Sequence, residues 1–268
     1  MGIYMKSLFL SLILAQALLA SEYFAKAEPV DTFSLKASVS GQVVQVDESK
    51  EGKLSDGAVL IMIDDKVDVI ELEASKQKLI FLDSNIKLSK QSVSNSFKAM
   101  KIDKGNYARV QNLNSYSKLQ KDAKLLSSIN STNGYIQSKT SLENLKTQRA
   151  DLTVRIARLE DSIAKKNITV REGLYIYKLY PNVGDFVSIG APLLDSADIS
   201  KARLTIYVTK EDLVGIKDKK IFIDDKETSF KIDKLWTIAD TQNISAYKTE
   251  IVIDKPEVFS TLMKVEFR

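Results

Sequence analysis

Cysteine and histidine are both absent from the 268 residues, and there is a single tryptophan. Without cysteine the chain forms no disulfide, no thiolate metal site and no lipid-modified N-terminal cysteine. Without histidine it lacks the commonest general base and metal ligand at neutral pH. Proline is scarce, with four residues, and none of them lies between Lys66 and Lys165. No glycine-rich phosphate loop is present, so the sequence carries no nucleotide-binding motif of that kind. Net charge is also small, since 39 Lys and Arg against 35 Asp and Glu leave +4. Acids and bases alternate, as in Lys50-Glu51 and Asp64-Asp65-Lys66, which describes a solvated surface and argues against nucleic-acid binding. The apolar run Leu8 to Ala20 is about 13 residues, short of the ~20 that cross a bilayer. With Lys6 ahead of it, that run reads as an export signal cleaved after Ala20 or after Ala27, where Ala25 completes a small-x-small site. An uncleaved N-terminal anchor is the alternative.

What the chain does have is a proline-free stretch from Lys66 to about Lys165 with a seven-residue apolar repeat. Leu72, Leu79, Ile86, Val93 and Met100 form one series, and Leu145, Leu152 and Leu159 another. Such a repeat keeps one seam of a helix turned toward a partner helix, so the stretch predicts a coiled coil. Three residues after members of the first series stand Ser75, Leu82, Ser89 and Ser96, small enough for close approach, which favours a two-helix hairpin. Equal arms place its tip near 114–117, with about 50 residues or ~75 Å in each arm. Asn133-Gly134 is a strong turn signal in its own right and predicts a break in the second arm.

Short strand patterns flank this region. Residues 37–46 alternate as a half-buried strand, and Ala58 to Ile63 is a second strand. After the helices come Ile168 to Val170, Leu174 to Tyr180, and Gly184-Asp185-Phe186-Val187. Gly41 to Gly52 and Gly173 to Gly184 are both steps of eleven, and Leu60 and Leu193 each follow by three residues the last glycine of their half, Gly57 and Gly190. The two segments therefore read as related halves, 33–65 and 166–199, that interlock into one small sandwich. From about Lys201 onward, short runs rich in β-branched and aromatic residues predict a small antiparallel barrel over 200–268, with a short helix at Thr209 to Leu213 capped by Thr209. Trp236 and the tyrosines read as packing.

Two lipoyl-like half-motifs separated by a long helical hairpin resemble the HlyD-type membrane fusion proteins, periplasmic adaptors of Gram-negative export pumps. The second half-motif, Gly184 to Leu193, is the most specific part. The first, Gly52 to Gly57, is one residue short and lacks the usual Asp after glycine. The resemblance implies an elongated α+β fold in which a lipoyl-like β-sandwich is split by the antiparallel hairpin and followed by the barrel. It implies no catalysis and no cofactor. The implied partners are an inner-membrane transporter, either ATP-binding cassette or proton-driven, a TolC-type outer-membrane channel, and further copies of the chain in a ring such as a hexamer. Adaptors of this kind carry an Arg-x-x-x-Leu pair and a Ser at the tip, which map onto Arg109, Leu113 and Ser117; the serine arrives about three residues early. Two alternatives are a lipoyl or biotinyl carrier modified at Lys66, because Asp64-Asp65-Lys66-Val67 resembles the carrier turn, and a coiled-coil scaffold of the envelope.

Overall fold

A computed structural model describes residues 21–239 and 245–268; the export signal read at 1–20 lies outside the described residues. Strands β1 (Glu22–Lys36), β2 (Gly41–Val46) and β3 (Val59–Ile63) precede helix α1 (Lys66–Val110). Helix α2 (Lys118–Lys166) leads to β4 (Asn167–Thr169), β5 (Tyr175–Leu179), β6 (Phe186–Val187) and the long β7 (Pro192–Thr209). β8 (Ile221–Ile223), β9 (Lys226–Glu227), β10 (Ile232–Leu235), β11 (Ala246–Asp254) and β12 (Leu262–Phe267) follow. One sheet has the order β10-β11-β7-β1-β12-β8-β9, with β5 also paired to β7, and a second has the order β4-β3-β2-β6. The class is α+β, with two long helices and curled sheets. The chain divides into two compact units, a β unit containing residues 21–38, 45–61 and 169–268, and a helical unit containing 39–44 and 62–168.

In the β unit, period-two burial builds the core. Ala202, Leu204, Ile206 and Val208 of β7 point inward at every second position and meet Ile251 and Ile253 of β11, Val265 and Phe267 of β12, and Ala25 and Ala27 of β1. β1 begins at Glu22, ahead of both the first half expected at 33–65 and the first strand expected at 37–46. Its first part pairs with β12, from Glu22 opposite Glu266 to Lys26 opposite Leu262. Its second part pairs with β7, from Ala27 opposite Leu204 to Lys36 opposite Pro192. Near the end of the chain, Asp224 and Asp225 adopt φ of 48° and 66°, as a two-residue hairpin turn between β8 and β9 requires. Thr209 to Leu213 does not form the expected helix. Leu213 N–H donates to Thr209 O at 3.2 Å, and the chain leaves the turn at Gly215, whose φ is 65°. One turn is all that precedes this left-handed residue.

The same unit joins the two glycine-punctuated segments directly. Gly52 N–H donates to Ile176 O at 2.9 Å and Ile176 N–H to Lys53 O at 2.9 Å. Ser55 N–H donates to Leu174 O at 2.7 Å, and Gly173 N–H to Ser55 O at 2.9 Å. The buried Ser55 hydroxyl adds a bond to Val170 O at 2.9 Å. Gly52 and Gly184 occupy matching places in the two segments and both have positive φ, 77° and 99°, a region that side-chain-bearing residues resist. Asp185 accepts from Asn182 N–H at 2.8 Å beside the second of these glycines. The first segment has no such aspartate, and an ion pair between Lys50 and Asp56 at 2.6 Å spans its turn instead. Leu60 and Leu193, three residues past the last glycine of each segment, are both fully buried.

The helical unit is an antiparallel pair. Leu82, Ile86, Leu142, Leu152 and Ile156 are buried between the helices, with Leu72, Leu79, Val93 and Leu145 packed against them. Ser75 and Ser128 are buried on the same seam. Cross-helix ion pairs set the register: Arg155 with Glu71, Arg149 with Asp83, and Lys76 with Glu160. At the base, Lys166 Nζ donates to Asp68 at 2.8 Å and to Asp64 O at 2.7 Å, and it holds the Asp68 carboxyl below its usual range. In this unit Gly41 is required by space, because a Cβ there would lie 2.6 Å from Ile63 Cγ2. Among the described residues, no helix is long and apolar enough to cross a membrane.

The break expected at Asn133-Gly134 is not there. α2 runs through both residues, as α1 runs through Lys104-Gly105-Asn106. Serine and threonine side chains bond back along α2, Thr132 to Ser128 O at 2.6 Å and Ser138 to Gly134 O at 2.9 Å. Packing against α1 outweighs the local turn propensity, since a tertiary face stabilises a helix more than single-residue preference opposes it. Gly134 has an ordinary helical φ and open space where a Cβ would sit. Gly134→Ala should therefore raise the unfolding midpoint, by about 0.5–1 kcal/mol of stability. Thermal denaturation followed by circular dichroism reads this, and a lowered midpoint contradicts a continuous helix at that position.

Candidate partner-docking site

The two helices are joined by Gln111 to Ser117, and the candidate trio lies on and beside this turn. Arg109 occupies the last turn of α1, where a cation complements the helix dipole. It is exposed, and its guanidinium donates to Asn106 Oδ1 at 2.6 Å. Leu113 stands in the turn itself, 45% exposed. Its N–H donates to Val110 O at 3.1 Å, and its carbonyl accepts from Tyr116 N–H at 3.4 Å. Val110, just behind it, is buried.

Ser117 is the N-cap of α2. Its hydroxyl accepts from Gln120 N–H at 3.3 Å, while Gln120 Oε1 accepts from Ser117 N–H at 2.9 Å. This reciprocal pair satisfies two amide donors that a helix start otherwise leaves open. Ser117 is thus a structural member of the trio, and Arg109 and Leu113 are the members whose side chains are presented outward. Gln120 was missed by sequence reasoning, although Ser117-Lys118-Leu119-Gln120 carries the S-x-x-Q capping signature. Two further outward residues had no such signal, Leu119 at 80% exposure and Tyr116 at 38%. Leu113, Tyr116 and Leu119 are thus exposed apolar side chains close together in sequence, and Arg109 is an exposed cation with a planar fork of donors at the end of α1.

Lys66, the carrier-type candidate, is the first residue of α1. Its backbone N–H is held by Asp64 Oδ1 at 3.2 Å, and it does not sit on a β-turn.

Neither a family model nor a curated protein sequence matches the chain. Solved structures do. MacA from Actinobacillus actinomycetemcomitans superposes with a TM-score of 0.67 at 17% identity, over 93% of this chain and 78% of that one. The fold is that of the membrane fusion proteins. A MacA-MexA chimera carrying the Pseudomonas aeruginosa MexA α-hairpin gives a TM-score of 0.61 at 15% identity, covering 92% and 80% of the two chains. The membrane fusion protein Spr0693 from Streptococcus pneumoniae R6 gives 0.56 at 11% identity, covering 92% and 98%. The membrane fusion fold therefore extends over nearly all of this chain.

Because the Ser117 hydroxyl is engaged in the cap, Ser117→Ala should cost about 1 kcal/mol of helix-pair stability, and Ser117→Asp should restore most of it. Urea denaturation monitored at 222 nm distinguishes the two variants. Equal stability of Ala and wild type would show that the cap contributes nothing.

Proposed function

We propose that this chain is a non-catalytic periplasmic adaptor that links an inner-membrane transporter to a TolC-type outer-membrane channel for export. The observation that carries the reading is the hydrogen bonding of Gly52–Ser55 to Gly173–Ile176. A single β body has been opened to let out a helical hairpin and closed again behind it. In this reading the two joined segments are the halves of a lipoyl-like sandwich, strands β7 to β12 with the start of β1 form the small β-barrel, and several copies stand in a ring. Helices of 45 and 49 residues are costly to hold in order unless something distant is to be reached. The likeness to MacA and Spr0693, proteins of the same fold, supports the assignment. Against the carrier alternative stands the position of Lys66, whose backbone is fixed at a helix start where no swinging arm projects.

The tip assignment is tested by export. Arg109→Asp and Leu113→Asp replace the outward donor fork and apolar knob with a carboxylate, and each should reduce export at least about ten-fold while leaving the protein folded. A photo-reactive residue at Tyr116, which leaves the Ser117 cap intact, should cross-link to an outer-membrane channel in cells. Unchanged export in both aspartate variants rejects the tip.

The two cleavage positions read for the export signal differ in consequence. Ala25 and Ala27 are buried in the β core, and Glu22 to Lys26 pair with β12. Cleavage after Ala27 would remove that half of β1, whereas cleavage after Ala20 retains it. We infer the latter. Mass spectrometry of the periplasmic protein should find a mature chain beginning at Ser21; a start at Glu28 overturns the inference.

A further inference from the structure

The helices approach the turn with an unusual charge pattern. Lys98, Lys101 and Lys104 recur at every third residue of α1, and Lys118, Lys121 and Lys124 repeat the spacing on α2. With Arg109, and opposed only by Asp103 and Asp122, the stretch from 98 to 124 carries +5, more than the +4 of the whole chain. Three-residue steps on a helix turn by about 60° short of a full revolution, so each triplet covers an arc of ~120°. Five of the six lysines are exposed and Lys121 is half-buried. Among the described residues none of the six forms an ion pair, whereas the cross-helix ion pairs lie between 68–83 and 149–166.

This arrangement is unfavourable for the isolated chain. Like charges three apart on a helix repel. Lys118 and Lys121 also stand in the first turns of α2, at the positive end of its dipole, and no acidic residue accompanies them in the first turn. An acidic partner would convert both costs into attraction.

The positions also say what shape that partner has. Lys98 lies ~18 Å behind the end of α1 and Lys124 ~9 Å behind the start of α2. The screening length in physiological salt is about 8 Å. A flat anionic surface touching the turn end-on therefore leaves the rearmost lysines screened. A protein sleeve that reaches back along both helices faces all six.

We propose that the six lysines form a basic collar that docks into an acidic, sleeve-like protein surface, and that this is the mouth of the channel met by the tip. The proposal rests on the adaptor reading and adds the chemistry of the partner. Leu113 and Tyr116 supply the apolar end contact, and the collar supplies steering and register over the length behind it.

The test uses the intact mature protein with a photo-reactive residue at Tyr116, in wild-type form and in a form with all six lysines changed to glutamine. Removing like-charge neighbours does not weaken the helices, so circular dichroism should show both forms folded. Cross-linking is run on washed envelopes at about 50 and 200 mM NaCl. Wild type should capture one outer-membrane channel, identified by mass spectrometry, whose cross-linked peptide adjoins clustered Asp or Glu. Capture should fall roughly ten-fold in the glutamine form, and in wild type with rising salt. Lysines placed at those acidic positions of the channel should restore capture by a form with the six collar lysines changed to glutamate. Capture that is equal in both forms and insensitive to salt overturns the collar and leaves the tip reading standing. Absence of any wild-type product overturns both. Sedimentation of wild type, but not the glutamine form, with phosphatidylglycerol vesicles, without a channel product, assigns the lysines to lipid and overturns the proposal.

Discussion

Four backbone hydrogen bonds between Gly52–Ser55 and Gly173–Ile176 are the constraint on which the rest of this chain depends. They close a loop of more than a hundred residues, and closing a flexible loop of that length costs several kcal/mol in chain entropy. Folding the intervening residues into two rigid, antiparallel helices changes the problem, because an antiparallel pair returns the chain to its starting point by construction. The hairpin thus lowers the entropy cost of the β closure. Ser55, buried and bonded through its hydroxyl to Val170 O, seals that junction with a side chain small enough to fit between the segments.

Much of this was legible in the chain itself. The seven-residue spacing of Leu72, Leu79, Ile86 and Val93 identifies the seam because helical period and heptad nearly coincide. Gly52 and Gly184 stand out because few other residues tolerate their backbone angles. Strand β1 was not legible, for an instructive reason. Ala25 and Ala27 satisfy the small-x-small rule of a protease site, and the same spacing is what a strand uses to bury two small side chains on one face. Sequence pattern alone does not separate these causes; in the structure both alanines are buried and β1 pairs with β12 and β7.

At the tip, the trio was found through its resemblance to a family pattern, but the roles of its members came from geometry. Ser117 spends its hydroxyl on Gln120, so in the proposed docking it would act through the shape of the turn. Leu119 and Tyr116 are outward-facing for reasons no local pattern records, since exposure there depends on where the chain stops pairing with itself. Asn133-Gly134 taught the converse, a strong local turn signal overridden by a neighbouring helix.

The cross-helix ion pairs and the buried leucines gather toward one end of the hairpin, while Phe97 and Tyr135, with ring centroids 5.4 Å apart, stand about two-thirds of the way along it toward the turn. Beyond them toward the turn, Val110 and Ser128 are the buried positions among the described residues. Near the turn, then, it is the covalent connection from Gln111 to Ser117, with its Ser117–Gln120 cap, more than side-chain burial that keeps the two helices side by side, whereas at the opposite end the seam of leucines and ion pairs holds them.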